Sequence, residues 1–213
     1  MIPTRSDFTK QEWEIIQSHR TPLEVQRYLQ SIPYNREPLK PTCYSFRTVI
    51  RKNRAHCLEG AIVAAVILEQ HGYAPNLVSI ESQDKLDHVL FLFKKDGKYG
   101  AVARSRDIGL HGRKPVFRSA RDLVWSYFEP YVDKSGRITG YGTASLHELG
   151  NYDWRFSKRN VWRVERFLQE IPHRAIKSSD ARYRKALRRY LEFHKRHPDR
   201  SPDYFDNKHL WLA

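Results

Sequence analysis

The chain has 213 residues and a formal net charge of +14, and 40% of its residues are hydrophobic and 13% aromatic. This composition excludes global disorder and favours a folded domain with anionic partners. The longest apolar run, over residues 61–68, is shorter than the roughly 20 residues that span a bilayer, and neither a secretory signal nor a disulfide framework is indicated, so we expect a soluble, cytoplasmic protein.

Capping signals predict the first helices. Thr9 and Thr21 are each followed three residues later by a glutamate, the pattern of a capping box in which side chains bond the free N–H groups of the first turn. Pro22 occupies the first helical position of the second helix, which we expect to end at Pro33. After a proline-containing loop, a third helix is predicted over residues 45–52.

A strongly apolar helix is predicted over residues 57–70, beginning at Cys57. Because it is hydrophobic on nearly all sides, we expect it at the centre of the domain. The free N–H groups and the dipole of its first turn favour an anion, which lowers the pKa of a cysteine there. The neighbouring Lys52 and Arg54, and His56 if it is charged, act in the same direction.

Strand-forming residues follow the apolar helix. A short strand is predicted over 77–80 and a longer one over 88–93. An Asp-Gly pair supplies the positive φ angles of a hairpin turn, so a return strand is expected over 99–104. We expect a loop over 105–116 and an irregular, glycine-rich segment over 130–154.

The remaining segments are mostly helical and basic. A helix is predicted after Ser119, and two more over 158–171 and 180–197. Together the elements predict an α+β fold in which the central apolar helix packs on a small antiparallel sheet. We expect residues 1–154 to form this core with its N-terminal helices, and residues 155–213 to form a basic helical extension packed on it.

One pair of residues suggests catalysis. Cys57 opens the apolar helix and His88 opens a strand, and a thiol nucleophile needs a base that is itself oriented by a third group. Asp87 is adjacent and therefore points to the opposite face of the strand. The candidates for the orienting group are Asp107, which has the better chemistry, and Ser105, which lies closer to the return strand.

Each candidate also has a purely structural interpretation. A lone cysteine is more often a small core residue than a nucleophile, and we assign that role to Cys43. A lone histidine at a strand end, as at His88, is typical of a half-exposed residue. No ligand set with zinc spacing and no phosphate-binding or dinucleotide motif is present in the sequence, so neither a metal nor a cofactor is predicted.

The segments 55–61, 87–90 and 100–105 together resemble the transglutaminase-like branch of the papain-like cysteine hydrolases, in particular its uncharacterised bacterial members. The resemblance covers residues 20–130. It implies an α+β fold and acyl transfer or amide hydrolysis through a thioester, with a peptide or protein amide as substrate. The position at which the family pattern has its aspartate is Ala103 here.

The charge of the chain supports a second hypothesis. Some chains of this fold are inactive binding modules, and the last predicted helix carries enough basic side chains to neutralise nucleic-acid phosphates. Its aromatic residues recur at helical spacing, which is more typical of docking on a core than of base stacking. The basic residues are Arg182, Arg184, Lys185, Arg188, Arg189, Lys195 and Arg196.

Overall fold

The computed structural model describes residues 2–212. Over this range the chain combines helices with a six-stranded antiparallel sheet, which confirms the predicted α+β class. The helices are α1 (Lys10–Ser18), α2 (Pro22–Ser31), α3 (Phe46–Lys52), α4 (Cys57–Glu69), α5 (Ala120–Trp125), α6 (Phe128–Tyr131), α7 (Trp162–Glu170) and α8 (Asp180–Arg196). The strands are β1 (Asn76–Ser82), β2 (His88–Lys95), β3 (Lys98–Val102), β4 (Arg113–Phe117), β5 (Ile138–Ser145) and β6 (Arg174–Ala175).

The sheet separates two hydrophobic cores. Its strand order is β4-β3-β2-β1-β5-β6, with antiparallel neighbours throughout. Alternate residues of a strand face opposite sides, so Val89 and Phe91 of β2 join the core around α4, whereas Leu90 and Leu92 join the core around α5. Both faces of β2 are therefore buried.

The apolar helix α4 is the centre of the larger core. None of its residues from Ala61 to Leu68 has exposed surface. Its first turn meets the chain that leaves β3, and a Cβ placed on Gly60 would lie only 2.7 Å from the Cβ of Arg104. The glycine thus lets the segment after β3 pass directly over the start of α4.

The outer strand β4 begins within the segment 105–116, for which a loop was expected. This prediction is wrong in its last part, since Arg113 pairs with Ala101 of β3. Pro115 lies inside β4, where the missing N–H is tolerated because β4 is the edge strand of the sheet.

The prediction of an irregular segment over residues 130–154 is also wrong, because β5 runs through it between β1 and β6. Gly140 and Gly142 weaken the strand signal in the sequence. In the fold they are needed for close packing: a Cβ on Gly142 would lie 2.7 Å from the Cδ1 of Ile171. Pairing with distant strands overrides the local preference.

The last third of the chain contributes to the same cores. β6 pairs with β5, and Val161, Val164 and Leu168 are buried against the core that contains α4. α8 docks by Ala186 on the core that includes Phe128. None of the helices formed by residues 2–212 combines the length and apolarity needed for a membrane span.

The close approach at Gly60 gives a test of the packing. Helix propensity alone predicts that Gly60→Ala stabilises the protein by about 1 kcal/mol. We expect a loss of about 1–3 kcal/mol instead, because the new methyl group must displace the Arg104 segment. Urea unfolding measures the difference, and a gain in stability would contradict the packing.

Candidate active site

The thiol of Cys57 is placed by a short, well-anchored connection between α3 and α4. Asn53 ends α3 in the left-handed conformation, with φ of 50°. The main chain of Ala55 then bonds both neighbours of Tyr34: its N–H donates to the Pro33 carbonyl (3.2 Å), and its carbonyl accepts from the N–H of Asn35 (3.1 Å). Cys57 follows as the first residue of α4, and its side chain is partly exposed.

His88 is the first residue of β2 and is 95% buried, with an exposed fraction of 5%. Its Nε2 lies 2.9 Å from the main-chain carbonyl of Leu110. Because a carbonyl oxygen only accepts, Nε2 must donate, which leaves Nδ1 as the ring nitrogen for the Cys57 sulfur. The pairing of β3 with β2 ends at Phe91 and Val102, so the start of β2 is open on that side.

A second imidazole also contacts the thiol. His56 is the N-cap residue of α4, and its Nε2 lies 3.0 Å from the Thr42 carbonyl. Two carboxylates approach the same nitrogen: Glu59 at 3.3 Å and Glu37 at 3.8 Å. The Nε2 atoms of His56 and His88 are therefore both engaged by oxygen atoms.

The electrostatics of the trio formed by Cys57, His56 and His88 favour a thiolate at Cys57. Burial raises the pKa of the Cys57 thiol, but hydrogen bonds with His56 and His88 and the charges of both rings outweigh it and hold the pKa well below its ordinary value. Burial lowers the pKa of His56, whereas its hydrogen bond to Cys57 and the charges of Cys57 and Glu59 raise it, to about 9. At neutral pH these directions correspond to a thiolate beside an imidazolium.

Glu59 connects the trio to the preceding loop. Its side chain is fully buried and accepts hydrogen bonds from the N–H of His56 (3.0 Å), the hydroxyl of Thr42 (2.8 Å), the N–H of Tyr44 (2.9 Å) and the amide of Asn35 (3.0 Å). A buried carboxylate with this many donors is well compensated. It fixes both the loop and the start of α4.

The side chains expected to orient His88 lie elsewhere. A carboxylate oxygen of Asp107 accepts a hydrogen bond from the hydroxyl of Ser201 (3.1 Å), and the Ser105 hydroxyl accepts one from the N–H of Asp107 (3.1 Å). Over residues 2–212 neither side chain hydrogen bonds to His88, whose partner is the Leu110 carbonyl. A main-chain oxygen leaves no signature in a sequence, which is why it was missed.

The remaining candidates have structural surroundings. Asp87 accepts from the N–H of Ser82 (3.1 Å). Cys43 is fully buried, its Sγ donates to the Val161 carbonyl (3.5 Å), and burial raises the pKa of its thiol. Cys43 therefore stays a neutral thiol at neutral pH.

Two phenols lie within electrostatic reach of the thiol. Burial raises the pKa of both Tyr34 and Tyr131, and the charge of Cys57 raises each further. Both phenols are therefore neutral donors at neutral pH. Tyr131 uses its hydroxyl to bond the Leu86 carbonyl, which ties α6 to the loop before His88.

Comparisons with known proteins give a limited likeness. No family model and no curated protein matches the chain. Solved structures of Legionella pneumophila LapG are similar in part: one has 13% identity and a TM-score of 0.42, covering 67% of this chain and 82% of that one. Its calcium-bound form has 11% identity and a TM-score of 0.40, covering 76% of this chain and 94% of that one.

A metal-binding group of side chains is absent from the described part of the chain. Over residues 2–212, no group of three or more His, Cys, Asp or Glu side chains is arranged to hold a metal ion.

The thiolate can be measured directly. We expect absorbance at 240 nm to show one thiolate at neutral pH, since a normal thiol with a pKa near 8.5 would be mostly protonated. Cys57→Ala should remove this signal. Cys43→Ala is the matched control and should leave it unchanged; loss of the signal in the control would contradict the assignment.

Proposed function

We propose that the chain is a thiol-dependent acyltransferase or amide hydrolase of the transglutaminase-like type, with Cys57 as nucleophile and His88 as base. The observation that carries the proposal is that the imidazoles of His56 and His88 both act on the Cys57 thiol and lower its pKa, at the start of α4 and of β2 respectively. Perturbed groups gathered in this way are typical of active sites. The order of a helix beginning at cysteine and a hairpin beginning at histidine supports the same proposal.

The reaction begins with attack of the Cys57 thiolate on the carbonyl carbon of a peptide or protein amide. A C–S bond forms and an electron pair moves to the carbonyl oxygen. The N–H of Cys57, at the start of α4, is a suitable donor for this oxyanion because the helix dipole points toward it. Collapse breaks the C–N bond, an imidazolium gives its proton to the leaving amine, and a thioester remains.

The second half of the reaction releases the acyl group. Water or an amine attacks the thioester carbon while the Nδ1 of His88 takes the attacking group's proton. The C–S bond breaks and the thiolate returns, and the proton taken by His88 passes by way of the sulfur to the other imidazole, which restores the resting state. Water yields a carboxylic acid and an amine yields a new amide, so the same residues serve hydrolysis and transfer.

The two histidines divide these tasks in the proposal. A carbonyl at His88 fixes the tautomer but supplies no full negative charge to stabilise an imidazolium, unlike a carboxylate. His56 has such charges, because Glu59 and Glu37 approach its Nε2. We therefore assign the resting imidazolium to His56 and the base to His88.

Acylation by p-nitrophenyl acetate tests the proposal without a known substrate. The wild type should release a burst of about one equivalent of nitrophenolate and carry an acetyl group on Cys57, detected by mass spectrometry. Cys57→Ala should give no burst, and Cys43→Ala should behave as wild type. A burst that survives Cys57→Ala would overturn the assignment of the nucleophile.

The division of tasks predicts different defects for the two histidines. His88→Gln should slow deacylation by about 10²–10⁴-fold, because the base is lost, and should also raise the thiol pKa, since His88 is one of the two rings that lower it. His56→Gln should move the thiol pKa upward, so that alkylation below pH 8 slows. Equal effects of both substitutions on the thiol pKa and on deacylation would contradict separate roles.

A second candidate function is binding of an anionic partner such as nucleic acid. Of the basic residues of α8, Arg182 lies 4.9 Å from the Trp125 ring, although the residue is exposed, and Arg189 bonds Glu129 at 3.1 Å, so both have partners in the rest of the chain. The others are exposed on the outer side of the helix: Arg184, Lys185, Arg188, Lys195 and Arg196. This outward charge favours the candidate.

Fluorescence anisotropy with a labelled DNA duplex and a labelled single strand checks this candidate. Binding should weaken steeply between 50 and 200 mM salt and persist in Cys57→Ala. Replacing Arg184, Lys185 and Arg188 together by glutamine should lower the affinity and flatten the salt dependence. Binding that ignores both salt and the triple substitution would exclude a role for the α8 surface.

A further inference from the structure

The segment after α8, residues 197–212, crosses the molecule to the loop that presents the Leu110 carbonyl to His88. We call this segment the C-terminal strap, and residues 103–112 the Leu110 loop. Ser201 of the strap donates its hydroxyl hydrogen to Asp107 of the loop (3.1 Å), and the N–H of Leu212 donates to the carbonyl of Gly112 (3.1 Å).

Apolar packing adds to these hydrogen bonds. Phe205 of the strap is 6% exposed and packs on Gly109, where an added Cβ would lie 2.7 Å from the ring. Gly109 directly precedes Leu110, so the ring of Phe205 limits the movement of the residue next to the carbonyl that accepts the hydrogen bond of His88. Only glycine permits this approach.

A buried arginine joins the strap to the loop. Arg113 is fully buried, and its guanidinium donates to the carbonyls of Gly109 (2.6 Å) and His111 (2.9 Å), on either side of Leu110. The same guanidinium lies 3.9 Å from the ring centre of Tyr127 and 5.7 Å from that of Trp211 in the strap. The strap thus forms part of the environment that holds this charge.

On the opposite side, α2 holds the ends of the Leu110 loop. The side-chain oxygen of Gln26 accepts hydrogen bonds from the N–H groups of Ala103 (2.9 Å) and Gly112 (3.1 Å). Gln30 donates to the Nδ1 of His111 (2.8 Å). These contacts fix where the loop begins and ends, whereas the strap contacts Asp107 and Gly109 in its middle, where Arg113 and Pro130 also contact Gly109.

We propose that the C-terminal strap positions the catalytic imidazole, with Ser201 and Asp107 as positioning residues that act on His88 through the Leu110 carbonyl. If the strap is released, Nε2 of His88 loses its fixed acceptor, and the ring no longer keeps Nδ1 directed at Cys57. The thiolate, held also by His56, remains. The proposal rests on the proposed function only for its activity measurement.

Substitutions at Asp107 distinguish positioning from direct catalysis. Asp107→Asn keeps an oxygen that accepts from Ser201 but removes the charge, so it should retain deacylation of the p-nitrophenyl acetate intermediate. Asp107→Ala and Ser201→Ala should each slow deacylation by about 10–100-fold, the cost of a small misplacement, with an unchanged thiolate absorbance. The double variant should be no slower than either single variant.

A matched control and a rescue complete this series. Asp203→Asn alters a strap residue whose carboxylate bonds Arg200 at 3.5 Å, outside the loop, and should leave deacylation unchanged. Ser201→Thr keeps the hydroxyl and should restore most of the rate. The proposal is overturned if Asp107→Asn is as slow as Asp107→Ala while Ser201→Ala is as fast as wild type, since the charge would then act by itself.

Histidine NMR gives a readout that needs no activity. In the Cys57→Ala protein, the hydrogen-bonded Nε2 proton of His88 should resonate downfield, and Ser201→Ala should shift or broaden it while Asp203→Asn does not. If the wild type shows no acylation but this pattern holds, the proposed function fails and the strap stands. If the His88 signal ignores Ser201→Ala and Asp107→Ala, the strap proposal fails whatever the activity.

Discussion

The arrangement around Cys57 depends on one buried carboxylate, that of Glu59. It lies in the first turn of the central helix with no exposed surface, where an unpaired charge would cost several kcal/mol. Its donors come from His56 and from the loop containing Asn35 and Thr42, so satisfying one charge fixes that loop, the cap of α4 and the neighbouring imidazole together. The sulfur is then held against a structure with little freedom to move.

The two imidazoles have the same kind of main-chain partner but differ in their charge environment. Both have their Nε2 beside a main-chain carbonyl, that of Thr42 for His56 and that of Leu110 for His88. Only His56 also faces carboxylates, so the proton shared within the trio is better stabilised there. In the proposed mechanism this asymmetry leaves His88 neutral and ready to accept a proton, a task that in many cysteine hydrolases falls to one histidine oriented by a side chain.

The last third of the chain has one side that packs on the core and another that faces the solvent. Its inner side adds β6 to the sheet, buries Val161 and Val164 in the main core, and brings Trp211 beside the buried guanidinium of Arg113. Its outer side exposes the basic residues of α8. The strap ends on the Leu110 loop. The segment predicted from the sequence as a basic extension therefore contacts the loop that bonds His88 in the candidate active site.

The sequence by itself predicted the elements that depend on interactions between neighbouring residues. The capping residues Thr9 and Thr21, the apolar helix beginning at Cys57, and the hairpin at Asp96 all act within a few residues, and their helices and turn appear where predicted. The pairing of Cys57 with the histidine that begins β2 was a hypothesis from the same patterns, and in the fold His88 is among the groups that lower the pKa of the Cys57 thiol.

Tertiary structure alone decided the rest. The strand β5 contains Gly140 and Gly142, so only its pairing with β1 and β6 reveals it. The partner of His88 is the main-chain oxygen of Leu110, a group that every residue carries and no sequence pattern distinguishes. Asp107 has the side chain expected of an orienting residue, yet the path of the chain turns it toward Ser201. Side-chain type is encoded locally, whereas the direction in which a loop presents its carbonyls depends on everything packed around it.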